Sequence, residues 1–221
     1  MILLPASTAL LVIDMQRDFL NPEGYAARAG LEISRLRAAI PSIAELLAAA
    51  RRCGMHVIHT REGHVADLSD CPPYKLLRSR RAGAEIGANG PLGRLLVRGE
   101  YGHDFVDELR PRANEIVIDK PGYSAFHGTD LETSLVSRGI SQLIITGITT
   151  EVCVSSTLRS AVDRGYVCYT VADACASAYS DLHDAALRMI AVEGGVFGAV
   201  VESIEVLDAM SRVDNAMTNK R

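Results

Sequence analysis

Short, uninterrupted apolar runs recur along this chain, and helical patterns lie between them. The runs are ALLVI at 9–13, MHVIH at 55–59, EIVID at 115–119, QLIIT at 142–146 and YVCYTV at 166–171. Each reads as a strand buried on both faces, because it does not alternate with polar residues. A helix is expected between Ile33 and Cys53, with Pro41 suited to its first turn and Gly54 as its stop. Further helical patterns cover about 129–138, 152–164 and 181–192, the last ending in Gly194-Gly195. Repeated strand–helix alternation implies a three-layer α/β/α fold around a central parallel sheet. In such sheets, ligands bind beyond the carboxyl ends of the strands.

The chain has 221 residues, 48% hydrophobic and 23% charged, which suits a single domain over 1–221 with a sizeable core. The stretch from about Arg61 to His103 is rich in Gly, Pro, Arg and Asp and breaks the pattern. It is expected to be an irregular lid or an interface element. A net charge of -4, 5% aromatics and no Trp argue against a nucleic-acid partner. No segment is long and apolar enough to suggest a membrane span. The apolar N-terminus lacks a basic region and runs straight into a strand, so it reads as mature protein. The five cysteines are odd in number and form no CxxC pair, which favours a reducing, cytoplasmic setting.

Three polar residues stand at strand ends. Asp14 ends ALLVID, Lys120 ends EIVIDK, and Cys153 follows QLIITGITTEV, where it is expected to open a helix. Alone, each is ordinary: a turn Asp, a solvated Lys, a small buried thiol. A parallel sheet would bring all three to one edge. A thiol attacks only as thiolate, and a helix N-terminus or a Lys lowers its pKa. A carboxylate accepts the thiol proton and returns it to a leaving amine. The loop Gly147–Val152 can aim backbone N–H groups at an oxyanion. No GxSxG elbow, Walker A sequence or GxGxxG fingerprint is present.

The segments LLVIDMQRDF, DKPGYSAFHGTDL and TGITTEVCVSSTLRSAVDRGY resemble the isochorismatase-like cysteine hydrolases, over about residues 8–208. The resemblance implies an Asp-Lys-Cys triad at Asp14, Lys120 and Cys153, with Lys120 holding the other two ionised. It also implies a cis peptide between Ile148 and Thr149, and an oxyanion hole from the N–H groups of Thr149 and Cys153. It implies no cofactor, a small amide or ureide as substrate, and a homodimer or homotetramer. Cysteine at 153 points to the amidase branch. HTREGHVADLSD and EGGVFG look like biuret hydrolases, whereas KPGYSAF is closer to the ureidoacrylate amidohydrolases.

The expected reaction is therefore cleavage of the C–N bond of a small ureide or carbamoyl amide through a thioester. Substrate contacts are expected at Phe19, Tyr123, Phe126 and Glu193. Tyr123 and Glu193 stand where the biuret pattern carries Lys and Gln, which makes biuret a secondary substrate. Glu193 also reads as a solvated helix-end charge. Other readings are a nicotinamidase-like or N-carbamoyl amino acid amidase, a non-catalytic partner-binding member of the fold, and a redox thiol protein. Nicotinamidases of the family bind a metal through Asp-x-His, which Glu62-Gly63-His64 mimics, with His59 and His103 to spare. The biuret-like relatives carry no such metal, and none is expected here. Arg61, Arg78, Arg80, Arg81 and Arg94 are expected to form lid or interface salt bridges, with one gating the pocket.

Overall fold

The computed structural model describes residues 2–218. Along the chain the strands are β1 (Thr8–Ile13), β2 (His56–Glu62), β3 (Asn89–Gly90), β4 (Gly93–Arg94), β5 (Ile116–Lys120), β6 (Gln142–Ile148), β7 (Val167–Ala176) and β8 (Ala199–Val201). Six of them form one sheet in the order β5-β2-β1-β6-β7-β8, with every neighbouring pair parallel. The chain steps outward from β1 through β2 to β5, then returns to place β6 on the other side of β1. The direction of winding therefore reverses between β1 and β6, and a crevice opens there at the carboxyl edge.

The helices are α1 (Arg17–Leu20), α2 (Tyr25–Arg28), α3 (Ile33–Arg37), α4 (Ile40–Arg52), α5 (Pro73–Arg81), α6 (Leu131–Val136), α7 (Ser155–Val162), α8 (Ser180–Gly195) and α9 (Ser203–Thr218). All six residues of β1 are buried. Leu10 and Val12 join a core with Ile43, Leu46 and Val206 from α4 and α9. Leu11 and Ile13 face the opposite core, with Leu135, Leu158 and Ile190 from α6, α7 and α8. The two-residue period of a strand thus feeds both apolar layers. This is the expected α/β/α architecture.

Several boundaries differ from expectation. The helix expected from Ile33 to Cys53 is two, α3 and α4, with Pro41 in the first turn of the second. A proline ring clashes with the carbonyl four residues back and supplies no N–H, so a continuous helix through 41 is disfavoured. The strand expected at 55–59 runs on to Glu62 through polar Thr60 and Arg61. Both β8 and α9 lie outside the expected elements. The 61–103 segment is not irregular throughout: it holds α5 and the β3–β4 hairpin. Ala84, Ile86, Leu95 and Leu96 pack there on Tyr25 as a small separate core. No disulfide forms, and no helix among the described residues is long and apolar enough to cross a membrane.

Candidate active site

The carboxyl ends of four adjacent strands deliver the site. Asp14 follows β1 directly, in the left-handed region at φ 55°. Aspartate tolerates that conformation better than most residues, at a cost of about 1–2 kcal/mol. The turn is fixed from both sides. The Gln16 N–H donates to the Asp14 carbonyl at 2.7 Å, and the Asp14 N–H donates to the Thr60 carbonyl at 3.1 Å. The Thr60 hydroxyl donates to Asp14 Oδ1 at 2.6 Å. Glu62 ends β2 and Lys120 ends β5, paired in register. The buried Gln16 amide clamps the Glu62 backbone, accepting from its N–H at 2.7 Å and donating to its carbonyl at 3.0 Å.

Cys153 does not open α7. It sits inside a separate π-helical turn, Thr150–Val154, that precedes it. The peptide between Ile148 and Thr149, just before this turn, is cis. At Gly147 β6 approaches β1 so closely that a Cβ would stand 2.1 Å from the Ile13 carbonyl oxygen. Glycine is the residue that permits this approach, and it also supplies the φ of 113° found there.

These elements converge on one ammonium group. Lys120 Nζ lies 2.7 Å from Asp14 Oδ2 and 3.6 Å from Glu62 Oε2. It donates to the Gly122 carbonyl at 3.0 Å and to Cys153 Sγ at 3.5 Å. The Cys153 thiol in turn donates to Glu62 Oε2 at 3.3 Å. Asp14, Glu62 and Cys153 form the one metal-competent donor group among the described residues, and the Lys120 ammonium already stands against all three. His64 is turned away to Asp70 at 3.0 Å, and His59 to Glu115 at 3.0 Å. Glu62 and His64 therefore do not converge as ligands.

Burial raises the Asp14 carboxyl above its usual range, against the pull of Lys120. Burial also acts on Glu62, but the Lys120 and Lys75 ammonium groups outweigh it and hold that carboxyl at about 2. The Cys153 thiol is pushed well above its usual range by burial, which exceeds the pull of Lys120. Burial thus favours the thiol form of Cys153, while Lys120 favours the thiolate. Two carboxylates with separated affinities for a proton divide the chemistry. Asp14 can take a proton, while Glu62 stays anionic.

A pocket of about 100 Å³ opens over these groups. Asp14, Glu62, Cys153, Ile148 and Thr149 line it, together with Phe19, Tyr25, Tyr123 and Arg78. Of the four residues expected to contact substrate, Phe19 and Tyr123 are among those that line the pocket. Phe126 is not: it packs into the α6–α7 core against Tyr166, with ring centroids 6.1 Å apart. Glu193 is not either. The helical backbone of α8 breaks at Val192–Gly194 and leaves Glu193 exposed, so its reading as a solvated charge holds.

Sequence reasoning missed Lys75 and the role of Glu62 within the cluster. Lys75, on α5, is buried and ion-paired to Glu62 Oε1 at 2.7 Å, and it donates to the Pro121 carbonyl at 2.6 Å. Of the arginines in the 61–103 segment, Arg61 pairs with Asp119 and Asp104, and Arg80 with Glu85. Arg94 donates to the Gly87 and Ala66 carbonyls, Arg81 is exposed, and only Arg78 of these five lines the pocket.

Residues 8–205 match the isochorismatase domain. A ureidoacrylate amidohydrolase RutB of Serratia proteamaculans is 39% identical over 178 residues, covering 77% of this chain and 70% of that protein. The same enzyme of Methylobacterium radiotolerans is 37% identical over 195 residues, covering 84% and 74%. A crystal structure of a cysteine hydrolase from Pseudomonas syringae pv. phaseolicola superposes with a TM-score of 0.81 at 28% identity, covering 96% of this chain and 95% of the other. The sheet order, the strand-end cluster and these matches together place the chain in the isochorismatase family.

Proposed function

We propose that this chain is a cysteine amidohydrolase that cleaves the C–N bond of a small ureide or carbamoyl amide. The observation that carries the reading is the Cys153 thiol, buried in the pocket beside Lys120 and the proton-accepting Asp14. Similarity to the ureidoacrylate amidohydrolases supports the choice of substrate class.

Asp14 removes the Cys153 proton as Sγ attacks the carbonyl carbon. The pair of carboxylate and thiol becomes carboxylic acid and bound sulfur, so no free thiolate accumulates. The oxyanion is held by the backbone N–H groups of Thr149 and Cys153. Collapse breaks the C–N bond, and the departing nitrogen takes the proton from Asp14 to leave as ammonia. Asp14 then deprotonates a water, which cleaves the thioester and frees Cys153. Lys120 balances the charge of Asp14 and Glu62 throughout and requires no cofactor to do so.

Ammonia release across a panel tests the proposal. The panel is biuret, triuret, 3-ureidoacrylate, N-carbamoyl amino acids, nicotinamide and simple amides. The expected result is turnover of ureides or carbamoyl compounds well above simple amides, lost in Cys153→Ser. Turnover of nicotinamide alone, or of nothing, overturns it.

A further inference from the structure

Arg78 is the unspent charge of the pocket. It reaches the cavity from α5. Among the described residues no carboxylate lies within ion-pair distance of it, although Arg61, Arg80 and Arg98 of the same segment all have acidic partners. Its contacts are with neutral phenols: Nη2 donates to the Tyr25 hydroxyl at 3.4 Å, and Cζ stands 5.9 Å from the Tyr123 ring centroid. Its Nε is buried with no hydrogen-bond partner. Glu62, which lines the same pocket, is committed on both oxygens to Lys75, Lys120 and the Cys153 thiol.

The charge balance points the same way. Asp14 and Glu62 are already matched by Lys120 and Lys75 behind the pocket, which leaves Arg78 as the one cation of the cluster without an acidic partner. A half-buried guanidinium whose buried Nε has an unfilled donor presents the planar fork that fits a carboxylate. An arginine left without a counter-ion in a small cavity is a position where the substrate completes the pair.

We infer that Arg78 binds a carboxylate of the substrate, so that the enzyme prefers short anionic ureides, N-carbamoyl amino acids or ureido acids, over neutral ones. This deepens the ureide reading and rests on it. The cavity of about 100 Å³ admits only a short linker between the ureide carbonyl and the acid. Biuret, which has no carboxylate, leaves Arg78 unpaired.

The test compares kcat/KM for 3-ureidoacrylate and N-carbamoylglycine with that for isobutylurea and biuret, read as ammonia release. The wild type should favour the acids by about 10-fold or more, the value of one charge-assisted contact. In Arg78→Gln that ratio should collapse by about 10–100-fold, chiefly through KM of the acids. Arg78→Lys, which keeps the charge without the fork, should give an intermediate ratio. Independently of any variant, acetate should inhibit isobutylurea hydrolysis by the wild type more strongly than acetamide does. Equal or faster turnover of the neutral ureides, or a ratio that survives Arg78→Gln, overturns the inference while the ureide reading stands. Turnover of no ureide at all overturns both.

Discussion

The Cys153 thiol donates to Glu62 Oε2 at 3.3 Å, so the sulfur is in contact with a carboxylate beyond the Asp14 that strand-end reasoning singled out. The two acids are not equivalent. Glu62 is held at about 2 by two ammonium groups, which makes it a poor acceptor for a thiol proton, whereas burial makes Asp14 a better one. Asp14→Asn should therefore lower kcat by about 10³-fold or more, in the upper range for loss of a general base. Glu62→Gln should lower it by only about 10–100-fold and should cost about 3–5 kcal/mol of stability, because Lys75 loses its buried counter-ion. Single-turnover rates and urea titrations separate the two effects. A Glu62→Gln loss as deep as that of Asp14→Asn would make Glu62 the base.

The burial that raises the Cys153 thiol also sets its reactivity. Alkylation by iodoacetamide should be slow at neutral pH and should climb only above the usual thiol range, because burial raises the thiol more than Lys120 lowers it. Cys153→Ser should lose about 10³-fold or more in turnover, since the hydroxyl is a much weaker nucleophile here. Cys71→Ala, at a partly exposed position just before α5, should stay within about threefold of wild type. Peptide mapping of the alkylated protein assigns the rate to Cys153. Rapid alkylation of Cys153 at pH 7 would show a resting thiolate instead.

The sheet and the Asp14–Lys120–Cys153 convergence were legible because buried parallel strands are written as apolar runs, and the residue after each run falls at the ligand-binding edge. Glu62 obeys the same rule but stayed hidden, because β2 continues past the apolar run through Thr60-Arg61-Glu62. Those polar residues are tolerated where Thr60 bonds Asp14 and Arg61 pairs with Asp119. Lys75 had no local signature, and Arg78 was legible only as one of five arginines in the segment, since their meaning comes from the placement of α5 over the strand ends. A signal for α9 was present. Val206, Ala209 and Met210 fall on one buried face at helical spacing. The three residues of β8 are too few to show a period.

Gly147 couples the fold to the site. An added Cβ would meet the Ile13 carbonyl oxygen at 2.1 Å and the Ile13 nitrogen at 2.6 Å, and both belong to the backbone just before Asp14. The backbone there also has φ 113°, which a side chain strains. Gly147→Ala should cost about 3 kcal/mol or more, at the high end for single substitutions. It should also lower kcat in whatever fraction remains folded, because β1 and β6 would separate and move Asp14 away from Cys153. Denaturant midpoints and kcat per folded molecule test the two parts. A variant as stable and active as the wild type would show that the sheet absorbs the methyl group freely.

His103 makes the fold acid-sensitive. It is buried and, with Arg61 beside it, its pKa falls from the usual 6.5 to about 4. Its folded value lies below its unfolded one, so unfolding takes up a proton between pH 6.5 and 4. Stability must fall as the pH drops through that window, by at most about 3 kcal/mol from this group. Asp18 works in the opposite sense. Burial raises its carboxyl from 3.8 to about 6, so the folded state holds the extra proton, and its contribution is present at low pH and lost as pH rises through 6. The wild type should therefore show a shallow net slope between pH 4 and 6. His103→Gln removes one of the two opposing groups. Its stability should rise by about 2 kcal/mol relative to wild type on going from pH 6.5 to 4, measured by urea denaturation at each pH. An identical pH profile in wild type and variant would mean that His103 titrates alike in the folded and unfolded chain.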